Sequence, residues 1–362
     1  MKEKRLFTPA IITASAVFGC SLAVYITARF SPAFAEWWTR YPSQWMRGLL
    51  AAVTDPIPFS LAEMVLILLI PCAVLYMLVS NKYICSEDPK KYYRCLRPLL
   101  VIILVLASTF FGVFGPCYFR NTLDQNLNMD KKDVTAPELK YTAERVIEEI
   151  NALSVTTDPS GATVLTDGYE ELIKEIKTSF EDYCSRNDYI SWFDSDPKLI
   201  SLSPVMTYTH ISGLYSFFTG EANINFNYPD FVIPFTVAHE MAHQRGIARE
   251  DEANFVAFLV CINSENDYVR YSGLFNVLEY LLSALNKADA EMYKELVKES
   301  ITPGIRAELV AYSEFFKKYS DSTASQVVGS INNSYLESQG QKAGSASYGL
   351  VVDLAVAYYK NK

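Results

Sequence analysis

The sequence predicts a chain of two parts, a bundle of three membrane-spanning helices followed by a mainly helical domain of α+β class. Three observations predict it. Three apolar blocks, each about as long as a bilayer-crossing helix, fall within the first 120 residues. The charge balance reverses after them. Beyond them, apolar residues recur mostly at helical spacing, with a single clean alternating run that reads as a strand.

The expected spans are residues 6–27, 59–80 and 98–119. The first and third carry no charge. The second carries only Glu63, near one end, where a carboxylate reaches the interface or, less simply, serves a buried role. Lys2, Lys4 and Arg5 precede the first span, and Lys82, Lys90, Lys91, Arg94 and Arg97 lie between the second and third. Only Arg29, Arg40 and Arg47 lie between the first and second. The positive-inside rule therefore predicts a multi-pass cell-membrane protein with a cytoplasmic N-terminus and an extracytoplasmic C-terminal domain. Ala33-Phe34-Ala35 resembles a signal-peptidase site. The apolar stretch before it is too long for a signal sequence and Arg29 intervenes, so a retained anchor is expected. Trp37, Trp38, Tyr41 and Trp45 between spans one and two read as an interfacial aromatic belt.

Residues 1–97 hold 11 Lys and Arg against 6 Asp and Glu, whereas the rest holds 21 against 35. An acidic outer domain argues against nucleic acid as a partner and leaves membrane lipid to the first part. The expected domains are thus 1–120, the transmembrane region, and 121–362, the extracytoplasmic domain. Of the seven cysteines, Cys184 and Cys261 fall in the outer domain, where Cys261 at an apolar helix position reads as a buried thiol. Cys85 and Cys95, ten apart with no histidine near, do not form a metal motif.

In the outer domain helices are expected at about 137–153 and 169–186, separated by a turn region rich in Thr, Gly and Ser. Residues 221–228 alternate, with Ala222, Ile224, Phe226 and Tyr228 on one face and Asn223, Asn225 and Asn227 on the other. That is the pattern of a half-buried strand. The spacing predicts further helices at about 269–287, 288–299, 303–319, 327–338 and 347–360.

Chemistry concentrates in residues 231–255. His239-Glu240-Met241-Ala242-His243 is an H-E-x-x-H motif. Histidines four apart share a helix face and can reach one zinc ion (Zn2+), with the intervening glutamate placed as general base of a peptide-bond hydrolase. Pro234 suits a first helical turn and Gly246 a left-handed helix end. A catalytic zinc takes a third protein ligand. The acidic cluster Glu250-Asp251-Glu252 opens the next helix, a place where the helix dipole alone also favours acids.

The run Glu250-x-x-Ala253-Asn254-x-x-Ala257 resembles the element of glutamate-ligated zincins (gluzincins) whose first glutamate binds zinc. The resemblance implies metal ligands His239, His243 and Glu250, with Glu252 as the alternative third ligand, Glu240 as the catalytic base and Asn254 supporting a ligand from outside the coordination sphere. In that group an edge strand beside the metal helix aligns the substrate backbone. Asn223 and Asn225 then become candidate substrate contacts, and ordinary packing explains the strand as well. His210 is a candidate oxyanion contact or a structural histidine.

Taken with Phe218-Thr-Gly-Glu-Ala-Asn-Ile-Asn225 and Arg270-Tyr-Ser-Gly273, the whole chain resembles the bacterial membrane family catalogued as domain of unknown function 3810. The fold expected is an α-helical membrane anchor of three transmembrane helices plus a mainly α, α+β zincin-like metallopeptidase domain. The function expected is a membrane-anchored zinc-dependent endopeptidase (a metalloprotease) hydrolysing extracytoplasmic peptide or protein substrates. The alternative is a catalytically inactive sensor or scaffold of the same fold.

Overall fold

The computed structural model describes residues 8–84, 89–129, 134–166, 168–319, 322–339 and 348–361. Lys2, Lys4, Arg5, Cys85 and Ser347 lie outside the described residues. The chain divides into two compact units, 1–120 with Ser216–Glu221, and Asn121–Tyr215 with Ala222–Lys362.

In the first unit, α1 (Pro9–Phe30) starts where Thr8 caps the amide of Ile11 and Pro9 occupies the first turn. Helix α2 (Pro32–Trp38) starts the same way on Ser31 and passes through a π-turn into α3 (Gln44–Thr54). Two longer helices follow, α4 (Leu61–Ile84) and α5 (Pro89–Thr109). Three helical stretches are long and apolar enough to cross a membrane, Pro9–Phe30, Leu61–Asn81 and Cys95–Phe119. The last continues α5 through a π-turn and a 3-10 turn, and Pro116 explains the change. Proline has no N–H to give the carbonyl four residues back and its ring crowds that carbonyl. The carbonyl is that of Gly112, and it accepts the indole N–H of Trp38 at 2.8 Å instead. Trp37, Tyr41 and Trp45 are exposed. Glu63 sits in the first turn of α4, where the dipole favours an acid.

The unit also buries charge. Glu36 accepts from Arg120 at 2.7 and 3.1 Å and from Arg40 at 2.6 Å. Arg47, fully buried, bonds Ser43, the Thr39 carbonyl at 3.3 Å and the Cys117 sulfur at 3.4 Å.

The segment Ser216–Glu221 departs from the expected boundary, since 121–362 was read as one domain. Long-range contacts explain it. The Glu221 carboxylate accepts the free amides of Leu61 (3.0 Å) and Ala62 (2.9 Å) at the start of α4, and Phe217 packs edge-on to Phe110.

The second unit carries α6 (Leu123–Asn126), α7 (Ala136–Asn151), α8 (Tyr169–Arg186), β1 (Lys198–Leu199), α9 (Ser203–Thr207) and, apart from their end residues Ser216 and Glu221, β2 (Gly213–Ser216) and β3 (Glu221–Ile224). Then come α10 (Ile233–Gln244), α11 (Glu250–Ile262), α12 (Asp267–Ala288), α13 (Ala290–Glu299), α14 (Pro303–Tyr319), α15 (Thr323–Ser338) and α16 (Tyr348–Asn361). Asn266 caps α12 and Asp289 caps α13, each through two backbone amides, and each cap stabilises by about 1 kcal/mol. Helices α10, α11 and α12 pack on one another, with α7 and α16 against α12. Phe231, Met241, Phe255, Phe258 and Phe275 fill the shared core. Helix α11 is buried from Asp251 to Cys261, a helix enclosed on all sides. Cys184 and Cys261 are free thiols, and burial pushes the Cys184 thiol up to about 12.

The sheet corrects the sequence reading. Its order is β1-β3-β2, with Lys198 opposite Asn223 and Leu199 opposite Ile224 in a parallel pair. Strand β3 is therefore central rather than an edge, all four of its residues are buried, and it stops at Ile224. The asparagines stop it. Asn225 accepts the amide of Asn227 at 3.1 Å, a local turn in which a side chain replaces the ladder partner.

Candidate metal centre

Helix α10 begins after a 3-10 turn, with Pro234 in its first turn. The amide of Phe235, one of the donors a helix start leaves open, is taken by the hydroxyl of Ser272 on α12 at 3.1 Å. At the other end Gly246 adopts φ +88°, a conformation open to glycine without strain. Ile247 N–H bonds the Ala242 carbonyl (3.1 Å) and Gly246 N–H bonds that of His243 (3.0 Å), the Schellman pattern. That sharp reversal returns the chain so that α11 opens with Glu250 facing the histidines.

His239 and His243 lie one turn apart, ring centroids 4.5 Å from each other. Glu250 Oε2 is 3.4 Å from His239 Nε2 and 3.6 Å from His243 Nε2, and one ligand atom from each residue lies within 4.8 Å of the others. A tetrahedral zinc with bonds of about 2.0–2.2 Å sets its ligand atoms roughly 3.3–3.5 Å apart. The observed separations fit that spacing and are long for charged hydrogen bonds. His243 Nδ1 donates to the Ile247 carbonyl at 2.7 Å, which leaves Nε2 as the nitrogen that faces Glu250.

Glu240, 4 % exposed, has one carboxylate oxygen, Oε2, with no hydrogen-bond partner among the described residues. The backbone N–H of Tyr215 donates to this carboxylate. Strand β2 passes so close that a Cβ on Gly213 would stand 2.5 Å from Glu240 Oε1, so a larger residue there would push that carboxylate or the strand aside. Buried polar atoms are mostly paired, and an open one matters here because it lies beside convergent ligand atoms. Three convergent ligand atoms beside an open carboxylate oxygen suit a divalent ion.

The electrostatics follow from burial. Burial raises the Glu240 carboxyl above its ordinary value, against the pull of both histidines. Burial acts the same way on Glu250, but His243 and His239 overcome it and hold that carboxyl well below its usual range. His243 is raised to about 9, burial opposing and Glu250 prevailing.

The acidic cluster splits by role. Glu252 Oε1 accepts from Arg249 at 2.7 Å and from the Leu123 amide at 2.9 Å, away from the histidine cluster. Asn254 is buried one turn after Glu250. Its Nδ2 has no hydrogen-bond partner among the described residues, and neither has His239 Nδ1.

The other candidates are occupied. Asn225, fully buried, donates to the Ile211 carbonyl (2.9 Å) and Thr207 Oγ1 (3.1 Å). Asn223 donates to the Leu214 carbonyl at 3.0 Å, across to β2. Neither asparagine lies on a sheet edge. His210 takes φ +59°, its Nε2 2.9 Å from the Tyr319 carbonyl and its ring against Phe316, a structural placement. Sequence reasoning missed Gly213 and Tyr215, although a glycine inside a strand is a signal of close backbone approach.

No curated protein and no solved structure matches the chain. The sequence model of the family described as "Protein of unknown function (DUF3810)" matches residues 38–356, and the chain belongs to that family.

Proposed function

We propose that this chain is a membrane-anchored, zinc-dependent endopeptidase of zincin-like architecture, with its second unit outside the cytoplasm. The observation that carries the proposal is the convergence of His239, His243 and Glu250 beside the buried, half-satisfied carboxylate of Glu240. A zinc ion held by those three side chains would supply Lewis acidity toward a carbonyl and a water that ionises near neutrality.

The remaining work belongs to the chain. Glu240, raised by burial, takes a proton from the attacking water and gives it to the leaving amine, and the Tyr215 N–H orients it for both transfers. Strand β2, at a sheet edge and against Glu240, replaces β3 as the strand that pairs with substrate backbone. The basic flanks of the spans support a cytoplasmic N-terminus, and peptide or protein substrates then meet the site outside.

Glu240→Gln in the full-length protein tests the reading. Cleavage of a mixed peptide library should disappear while bound zinc remains. Equal cleavage by variant and wild type would end the peptidase proposal, and wild-type protein that holds zinc without cleaving favours the sensor alternative.

A further inference from the structure

We infer that Arg245 is a positioning residue of the metal centre, fixing the His243 imidazole through the turn that ends α10. The inference rests on the metal-site reading above and goes beyond it. Arg245 is 1 % exposed, and its guanidinium lies over three rings, Trp192 at 4.5 Å and Phe180 and Phe193 at 4.8 Å each. From that cage Nη1 donates to the Met241 carbonyl (3.1 Å) and Gln244 Oε1 (2.8 Å), and Nη2 donates to the Phe193 carbonyl (2.8 Å). Gln244 in turn donates to Ser195 Oγ at 3.0 Å. The last turn of α10 is thereby strapped to residues 192–195 and to α8.

Burying a guanidinium is costly, and an apolar side chain of similar volume would fill the space with less penalty. What the guanidinium adds is direction. Its planar fork satisfies carbonyls on two segments at once while its faces stack, which an ammonium does not do. The residue it fixes is the one from which the chain reverses. Arg245 N–H bonds the Met241 and Ala242 carbonyls at 3.1 Å, Gly246 turns, and Ile247 presents the carbonyl that holds His243 Nδ1 at 2.7 Å. His243 therefore takes its ring orientation from a turn whose own position is set by the cage. Such supporting groups govern metal affinity through the ligand they orient.

The test is cobalt(II) titration of the full-length protein in detergent, followed by visible absorption, for wild type, Arg245→Lys and Trp192→Leu. The second variant removes a cage wall and leaves the arginine, in case the first does not fold. Folding is checked by cooperative loss of far-UV circular dichroism on heating. The expected result is a folded variant whose cobalt affinity is lower by roughly tenfold or more, with an altered absorption band. A folded variant that binds cobalt within twofold of wild type, with an unchanged band, overturns the inference even if its unfolding midpoint falls. Failure of wild type itself to bind cobalt would instead remove the metal reading on which the inference stands.

Discussion

Each unit of the chain buries a cluster of charged side chains, and the two clusters are finished differently. In the first unit Glu36 is met by Arg120 and Arg40 at distances of 2.6–3.1 Å, a carboxylate supplied with cationic donors. In the second unit Glu250 faces two imidazoles at 3.4 and 3.6 Å, while Glu240 Oε2, His239 Nδ1 and Asn254 Nδ2 have no partner among the described residues. Leaving a buried polar atom unpaired costs about 1–3 kcal/mol. The first cluster is completed by its own side chains and the second is left open at Glu240, which is the contrast the proposed metal site would explain.

The contrast can be broken most sharply at Glu240. Glu240→Gln should lower peptide turnover by about 10²–10⁴-fold, the usual contribution of a general base, with zinc content unchanged. Next comes Gly213→Ala, which forces a methyl group against the same carboxylate. Turnover should fall at least about tenfold, since displacing a reacting group by a fraction of its contact distance is enough, and zinc should remain bound. Undiminished activity would show that β2 yields freely.

At the completed cluster the effect should be on stability alone. Glu36→Gln leaves Arg120 buried without its counter-charge and should cost about 3–5 kcal/mol in thermal or denaturant unfolding, with metal content unaltered. Burial pushes the Glu36 carboxyl up, but Arg120 and Arg40 bring it below its ordinary value. The stability it contributes is therefore present above the unfolded-state carboxyl pKa of about 4.5 and lost as pH falls through the lower folded value. The variant should show a flatter acid limb. A slope of the opposite sign is expected at Glu279, half-buried and raised to about 8 by burial. Between pH 4.5 and 8 the native state keeps a proton that the unfolded state releases, so stability falls as pH rises. Glu279→Gln should remove that slope, and parallel pH profiles of the unfolding midpoint would contradict it.

Much of this was legible in the sequence because the forces involved are local. Span length, four-residue histidine spacing, Pro234 at a helix start and Gly246 at a helix end act within one or two turns. Glu250 was singled out only through the resemblance to glutamate-ligated zincins, because spacing alone does not say how the turn at Gly246 aims the next helix. Glu252 was not separable from it by sequence, because its partner Leu123 lies 129 residues away. The role of Glu221 at the start of α4 was hidden likewise by a separation of 160 residues. The strand misreading has a different cause. Alternation predicts which face is polar, but asparagine side chains can replace the backbone's own partners, and here Asn225 ends the strand it was expected to extend. Arg245 escaped notice because a buried arginine looks, in sequence, like any charged residue at a helix end.

The most direct measurement is the metal content of the purified full-length protein for wild type, Glu250→Ala and Glu252→Ala. About one zinc per wild-type chain is expected, lost in the Glu250 variant and kept in the Glu252 variant, which should instead unfold more easily for want of the Arg249 and Leu123 contacts. Well-folded wild-type protein without metal, or zinc lost only with Glu252, would contradict it.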